Sequence, residues 1–200
     1  MAIITNVTGG MGSGKSYLCK LFKEKGIPVL DTDLETKNIF VENESIQYEM
    51  KRIFGNHIYS SKNNINSKLL SEKIFLDYTL RKKVELLVKG ELLRRIFNFV
   101  YNNMDAKTVI IESAIFIEAN LVCIADNVIL VNADMENRLK FLEENRGFSR
   151  KESMKRMKIQ MPHNYKVDTL YEKNIPFEVY KNDYTEETAQ KFINYFLKIQ

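Results

Sequence analysis

The sequence predicts an α/β fold: a five-stranded parallel sheet wrapped by helices on both faces. Three observations predict it. Short apolar, β-branched runs alternate with segments of helical period along the chain, the signature of strand–crossover–strand units. The runs Thr108-Val109-Ile110-Ile111 and Asn127-Val128-Ile129-Leu130-Val131 are apolar without alternation, as strands buried on both faces are. Third, Gly9-Gly10-Met11-Gly12-Ser13-Gly14-Lys15-Ser16 joins the first run to a helix with the spacing G-x-x-x-x-G-K-[ST].

Ile3 to Val7 reads as the first strand. The glycine loop leads into Tyr17-Leu18-Cys19-Lys20-Leu21-Phe22, which has helical spacing and stops at Gly26. In that context the loop is built to cradle phosphate. Its glycines reach backbone angles closed to other residues, its N–H groups approach the anion, and the helix start adds a partial positive charge. Pro28-Val29-Leu30 reads as the second strand, ending at Asp31-Thr32-Asp33. Carboxylates at the carboxyl end of a strand lie where open α/β sheets bind ligands. Aspartates so spaced also serve simply as caps for the next helix, Leu34 to Val41.

From Ser45 to Phe54 the pattern is helical, with Ile46, Met50, Ile53 and Phe54 on one face and Gly55-Asn56 closing it. Residues 60–66 form a polar turn. A helix is expected from Ser67 to Leu76 and a longer one from Thr79 to Tyr101, which Gly90 is expected to interrupt. The basic residues of the long helix suit either a polyanion site or a solvated face. The excursion over about residues 34–107 is too long for one crossover and reads as an inserted substrate-binding lobe.

The third strand, 108–112, ends in Glu112, and Ala114 to Glu118 follows as an apolar piece closed by a carboxylate. After the fourth strand, 127–131, Asp134 caps a helix through Leu142. Arg138 to Lys158 holds eight basic residues against three acidic ones, so the stretch is locally basic. Within it Asn145-Arg146-Gly147 is a turn and Ser149-x-x-Glu152 a capping box. A basic helix-turn-helix at about 138–162 reads as a lid closing on triphosphate, or as a solvated hairpin. Asp168 to Tyr171 is expected as the fifth strand and Thr185 to Lys198 as the closing amphipathic helix.

The chain has 200 residues, 44% of them hydrophobic, enough for one sizeable core with a subsidiary lobe. A net charge of +4 and a pI of about 8.9 suit a phosphorylated ligand. No run of about 20 apolar residues offers a membrane span, and no charged leader precedes an apolar run, so a cytoplasmic protein without membrane contact is expected. Cys19 and Cys123 lack metal-ligand spacing and read as core thiols. Basic residues are interleaved with few exposed-looking aromatics, which argues against a nucleic-acid partner.

Phosphoryl transfer needs the γ-phosphate held in line with an acceptor, its charge neutralised and water kept out. Lys15 is expected to reach the β- and γ-phosphates of ATP, with the Ser16 hydroxyl on Mg2+ and Glu112 holding that metal through water. Arg146 is the lid arginine expected on the opposite side. Asp33 is placed to take the proton of an acceptor hydroxyl. The set describes a small-molecule kinase; no N-K-x-D guanine-reading sequence is present. A nucleoside, a nucleotide or a sugar is the alternative acceptor at this point.

Thr8 through Ser16 with Gly26-Ile27-Pro28-Val29-Leu30-Asp31-Thr32-Asp33 resembles the dephospho-CoA kinase family. So do Phe54-Gly55, Leu69 with Ile74-Phe75, Ile115-Phe116-Ile117-Glu118, and Asn145-Arg146-Gly147-Phe148-Ser149 with Gln160. Asp168 and Asn174 match its last signature. The resemblance implies a P-loop NTPase-type three-layer fold, one kinase domain over residues 1–200 with a helical CoA lobe and a helical lid. It implies transfer of the ATP γ-phosphate to the 3′-hydroxyl of the dephospho-CoA ribose, giving CoA and ADP. By that likeness Asp33 is the base, and Lys15 and Arg146 stabilise the transferring phosphoryl. Gly12, Ser13, Gly14, Lys15, Ser16 and Tyr17 wrap the ATP phosphates. Thr8, Lys37 and Glu118 join Asp33 in binding the acceptor, and the enzyme works as a monomer or weak homo-oligomer.

The sequence departs from the family pattern at five positions in four places. Lys37 replaces an arginine, keeping the charge but losing the bidentate fork. Lys89-Gly90 replaces a His-Pro pair, Ala114 a proline, and Phe141 a lid arginine. The phosphate loop and the D-x-D are intact, so an active kinase is expected.

Overall fold

The structure, a computed structural model, describes residues 2–60 and 64–199. Of the polar turn expected over 60–66, positions 61–63 lie outside the described residues. The chain divides into two compact units, residues 1–30 with 100–200 and residues 31–99.

The first unit carries the sheet. Its strands are β1 (Ile3–Gly9), β2 (Val29–Asp31, its last residue in the second unit), β3 (Thr108–Glu112), β4 (Asn127–Ala133) and β5 (Phe177–Asn182). They lie in the order β2-β3-β1-β4-β5. β1 runs parallel to β3, with Ile3 opposite Thr108, and parallel to β4, with Thr5 opposite Asn127. β4 in turn runs parallel to β5, with Val128 opposite Phe177. All five residues of β3 are buried, which is why that stretch is apolar without alternation.

One core of this unit gathers Val7, Ile110 and Ile129 of the sheet with α1 (Lys15–Glu24) and α9 (Glu186–Ile199). Leu18, Leu21 and Phe22 of α1 and Ala189, Ile193 and Phe196 of α9 repeat at helical spacing and are buried. Phe22 meets Phe196 edge to face, centroids 5.8 Å apart, a geometry worth about 0.5–1.5 kcal/mol beyond area burial. The same unit holds α6 (Met135–Arg146), α7 (Arg150–Lys158) and α8 (His163–Glu172). The side chain of Asp134 caps α6, Gly147 ends it in the left-handed conformation, and Ser149 caps α7 by accepting from the Glu152 amide.

The second unit is helical: α2 (Thr32–Glu42), α3 (Glu44–Phe54), a 3-10 turn at Asn56–Ile58, α4 (Ser67–Leu76) and most of α5 (Tyr78–Asn102). Asp31, Asn43 and Asn66 accept amide protons at the starts of α2, α3 and α4, satisfying donors that a first turn leaves unpaired. Ile39, Phe40, Met50, Phe54, Ile58, Val84 and Val88 form its core. Arg95 on α5 ties three carboxylates, Glu35 at 3.0 Å, Glu42 at 2.6 Å and Glu91 at 3.1 Å, linking α5 to α2.

Three expectations are corrected. Asp168 to Tyr171 is not a strand; it lies inside α8, and the fifth strand is Phe177–Asn182. Pro176 stands just before that strand, its carbonyl accepting the Val128 amide, and Asn174, at φ +52, turns the chain between the two elements. Gly90 does not interrupt α5, because one glycine costs only about 1 kcal/mol in a helix and twenty-four other residues favour continuing it. Cys19 is buried as expected, but Cys123 is exposed in a 3-10 turn.

Candidate functional site

β1 ends in the glycine loop, and α1 begins at Lys15. Gly12 and Gly14 have φ of +76 and +92, a region that side chains rarely adopt. A Cβ on Gly14 would also collide with the Asn182 side chain. Four successive loop carbonyls accept from four side chains. Lys15 Nζ donates to Gly10 O at 3.2 Å and Arg138 Nε to Met11 O at 2.9 Å. The Tyr184 hydroxyl donates to Gly12 O at 2.5 Å and Asn182 Nδ2 to Ser13 O at 2.9 Å. A trans peptide points its C=O and N–H in opposite directions, so tethering the carbonyls also fixes where the loop amides face; Gln160 holds that of Met11 and Gly10 O that of Ser13. With the first-turn amides of α1, which have no helical acceptor, they make an anion cradle.

Ser16 and Glu112 meet at one edge of the cradle: the Ser16 hydroxyl donates to Glu112 Oε1 at 2.6 Å. Both are hard oxygen donors of the kind Mg2+ prefers, so these residues fit that ion. Among the described residues no cluster of three or more His, Cys, Asp or Glu is placed to hold a metal. A Mg2+ here would therefore draw its remaining ligands from phosphate and water. Tyr17 is exposed on the first turn of α1, and Ser13 is buried. Among the described residues the hydroxyl of Thr8, fully buried on β1, finds no hydrogen-bond partner, nor does that of Ser13.

A cavity of about 420 Å³ opens on the loop, with Gly10, Ser13, Arg138, Gln160, His163 and Lys166 among its lining. Gln160 Oε1 accepts the Met11 amide at 2.7 Å, so the segment between α7 and α8 touches the loop. Burial pulls the Arg138 guanidinium below its ordinary value, opposed by Tyr184. Burial pushes the Tyr184 hydroxyl up to about 12, keeping it a protonated donor to Gly12. His163 is pulled down by burial first, then by the charges of Lys166 and Arg138.

The other residues singled out in the sequence are placed as follows. Arg146 ends α6, exposed, and among the described residues no bond joins it to the loop; Arg138, two turns earlier, is the arginine that touches it. Glu118 pairs with Lys166, whose Nζ lies 2.8 Å from Glu118 Oε1. In the second unit Asp31 Oδ1 caps α2, accepting from the amides of Asp33 and Leu34 at 2.9 and 3.1 Å. Capping thus accounts for Asp31. Asp33 sits exposed in the first turn of α2, one helical turn before the exposed Lys37.

Arg138, Asn182 and Tyr184 were not singled out as site residues from sequence. Asn182 had a usable signal, because it closes a strand at its carboxyl end, where the sheet places ligand contacts. Misplacing the fifth strand hid it.

A family model described as dephospho-CoA kinase matches residues 3–194. Among curated relatives, a dephospho-CoA kinase of Dehalococcoides mccartyi is 30% identical over 169 residues, 82% of this chain and 83% of that one. One of Oceanobacillus iheyensis is 29% identical over 170 residues, 84% of this chain and 85% of that one. A crystal structure from Thermus thermophilus superposes with a TM-score of 0.79 at 27% identity, covering 98% of this chain and 97% of the other. The dephospho-CoA kinase from Campylobacter jejuni shares the fold, with a TM-score of 0.61 at 18% identity over 98% of this chain and 97% of the other.

Proposed function

The chain belongs to the dephospho-CoA kinase family, ATP-dependent kinases of CoA biosynthesis, and on that premise we propose how its own residues carry out the transfer. The substrates are ATP and dephospho-CoA. The observation that carries the reading is the set of four tethered carbonyls, Gly10 to Ser13, which shapes the loop as a triphosphate cradle.

Gly12 to Tyr17 wrap the ATP phosphates, and Lys15 neutralises charge at the β- and γ-phosphates. The Ser16 hydroxyl and, through water, Glu112 would hold Mg2+. Bound there, the ion would offset charge on the β- and γ-phosphate oxygens. Asp33 accepts the proton of the ribose 3′-hydroxyl. The oxygen so freed bonds to the γ-phosphorus, the bond to the ADP oxygen breaks, and its electron pair stays on ADP. Thr8, Lys37 and the helical unit of residues 31–99 serve the acceptor, supported by the adjacency of Asp33 and Lys37 on α2. α6 and α7 act as the lid, with Arg146 swinging in on closure; Arg138 holds the loop beneath it.

None of the roles assigned here calls for a residue from a second copy, in keeping with a monomer or weak homo-oligomer. Among the described residues no helix is long and apolar enough to cross a membrane, and both substrates are water-soluble, which supports a cytoplasmic enzyme. The test is an acceptor panel with ATP and Mg2+. ADP release with dephospho-CoA and a product phosphorylated at the ribose 3′ position is expected. Release only with a nucleoside, nucleotide or sugar would overturn the assignment.

A further inference from the structure

Lys166, on α8, is 1% exposed. Lysines are almost never buried this far unless paired, since removing an ammonium from water costs several kcal/mol before any partner is counted. Two partners hold it. Its Nζ donates to the Ala114 carbonyl at 3.1 Å and lies 2.8 Å from Glu118 Oε1. Both belong to the stretch that follows β3. An ammonium has three N–H groups; the Ala114 carbonyl takes one as a hydrogen bond, and Glu118 adds its charge beside it.

The same residue lines the cavity bounded by Gly9, Gly10 and Ser13 of the phosphate loop, and Arg138 lines it too. No Asp or Glu lines that cavity among the described residues. A cavity lined by cations and no carboxylate favours a polyanion, and at the mouth of a phosphate loop that is the terminal phosphate of the nucleotide. His163, in the same lining, is pulled down by burial first and then by the charges of Lys166 and Arg138.

We propose that Lys166 is a catalytic cation of the transfer step, donating an N–H to a non-bridging oxygen of the γ-phosphoryl group, and that Glu118 is the positioning residue that aims it. This rests on the kinase reading above and reassigns Glu118 from acceptor binding. The lysine is not consumed. The acceptor oxygen bonds to phosphorus, the bond to ADP breaks with its electrons on the ADP oxygen, the hydroxyl proton goes to Asp33, and the ammonium keeps its protons throughout.

The experiment uses the full chain with Lys166→Met and Glu118→Gln, reading kcat, both KM values, the rate ratio of ATP to its γ-thio analogue, and thermal unfolding. Lys166→Met should lower kcat by about 10²–10³-fold with each KM within about threefold, and should shrink the thio ratio. Glu118→Gln should lower kcat by about tenfold and move the same ratio less. A lysine that only pins α8 would lower the melting temperature and leave kcat of the folded fraction and the thio ratio unchanged, overturning the proposal. Should Lys166→Met not fold, Glu118→Gln alone decides: an unmoved ratio overturns the proposal. If the wild type ignores dephospho-CoA, the acceptor assignment fails on its own. The slow loss of phosphate from ATP to water then reads Lys166, with the same fall expected.

Discussion

Tyr184 donates its hydroxyl to the Gly12 carbonyl at 2.5 Å, bridging 172 residues of sequence. Its own backbone sits at φ +64, a conformation a bulky residue holds only when the surroundings over-determine it. Here they do. The Tyr184 amide donates to Asn182 Oδ1 at 2.9 Å, and its ring lies 5.7 Å from that of Phe141. The end of β5 therefore braces the phosphate loop from behind.

Tyr184→Phe keeps the ring contact and removes the bond. With the Gly12 carbonyl left partly buried, stability should drop by about 1 kcal/mol, read from the urea midpoint. The KM for ATP should rise several-fold while kcat changes little. An unchanged KM would mean the loop holds its shape without this brace.

Asp33→Asn should lower kcat by about 10²–10⁴-fold with ATP affinity largely kept, since the amide cannot take the hydroxyl proton. Asp31, not Asp33, supplies the cap, so the helix start survives this change. Near-normal turnover would remove Asp33 from the chemistry.

Lys15→Ala should weaken both ATP binding and turnover, because it deletes charge at the phosphates and the donor to Gly10 O together. Titration with a fluorescent nucleotide and steady-state kinetics read the two effects separately. Unchanged values in both would exclude the phosphate-loop assignment.

The helical unit should lose stability in acid. Hydrogen bonding to Arg94 leads the effects that hold the Glu91 carboxyl at about 2, against an ordinary 4.5; burial opposes them and Arg95 adds to them. A carboxyl depressed in the folded chain stabilises it fully above the ordinary value, and that stabilisation is lost as pH falls through the folded value. Comparing wild type with Glu91→Gln, the gap between their urea midpoints should be widest above pH 5 and close toward pH 2. A gap that does not narrow would assign Glu91 no part in the acid dependence.

The phosphate loop was legible in the sequence because its chemistry is local: eight consecutive residues set both the backbone path and the cation. The inner strands β3 and β4 were legible because burial on both faces favours an unbroken apolar run, and β1 because the glycine loop follows it. β5 was not. Its burial alternates, so Phe177–Asn182 carries no apolar run to announce it, whereas Leu170-Tyr171 mimics one inside a helix. Arg138, Asn182 and Tyr184 escaped for a different reason. Each acts on the loop from more than a hundred residues away, and no local spacing encodes a through-space hydrogen bond. Lys166 shows the same limit, since its buried pairing with Glu118 across 48 positions leaves it reading in sequence as an ordinary surface charge.

The Met11 amide, already engaged by Gln160, gives the molecule a built-in competitor. A triphosphate that claims that donor must first evict a neutral side chain anchored between two helices. Loading of the nucleotide would then be announced to α7 and α8 by the release of a single glutamine, and faster deuterium uptake across residues 150–166 on adding ATP would record it.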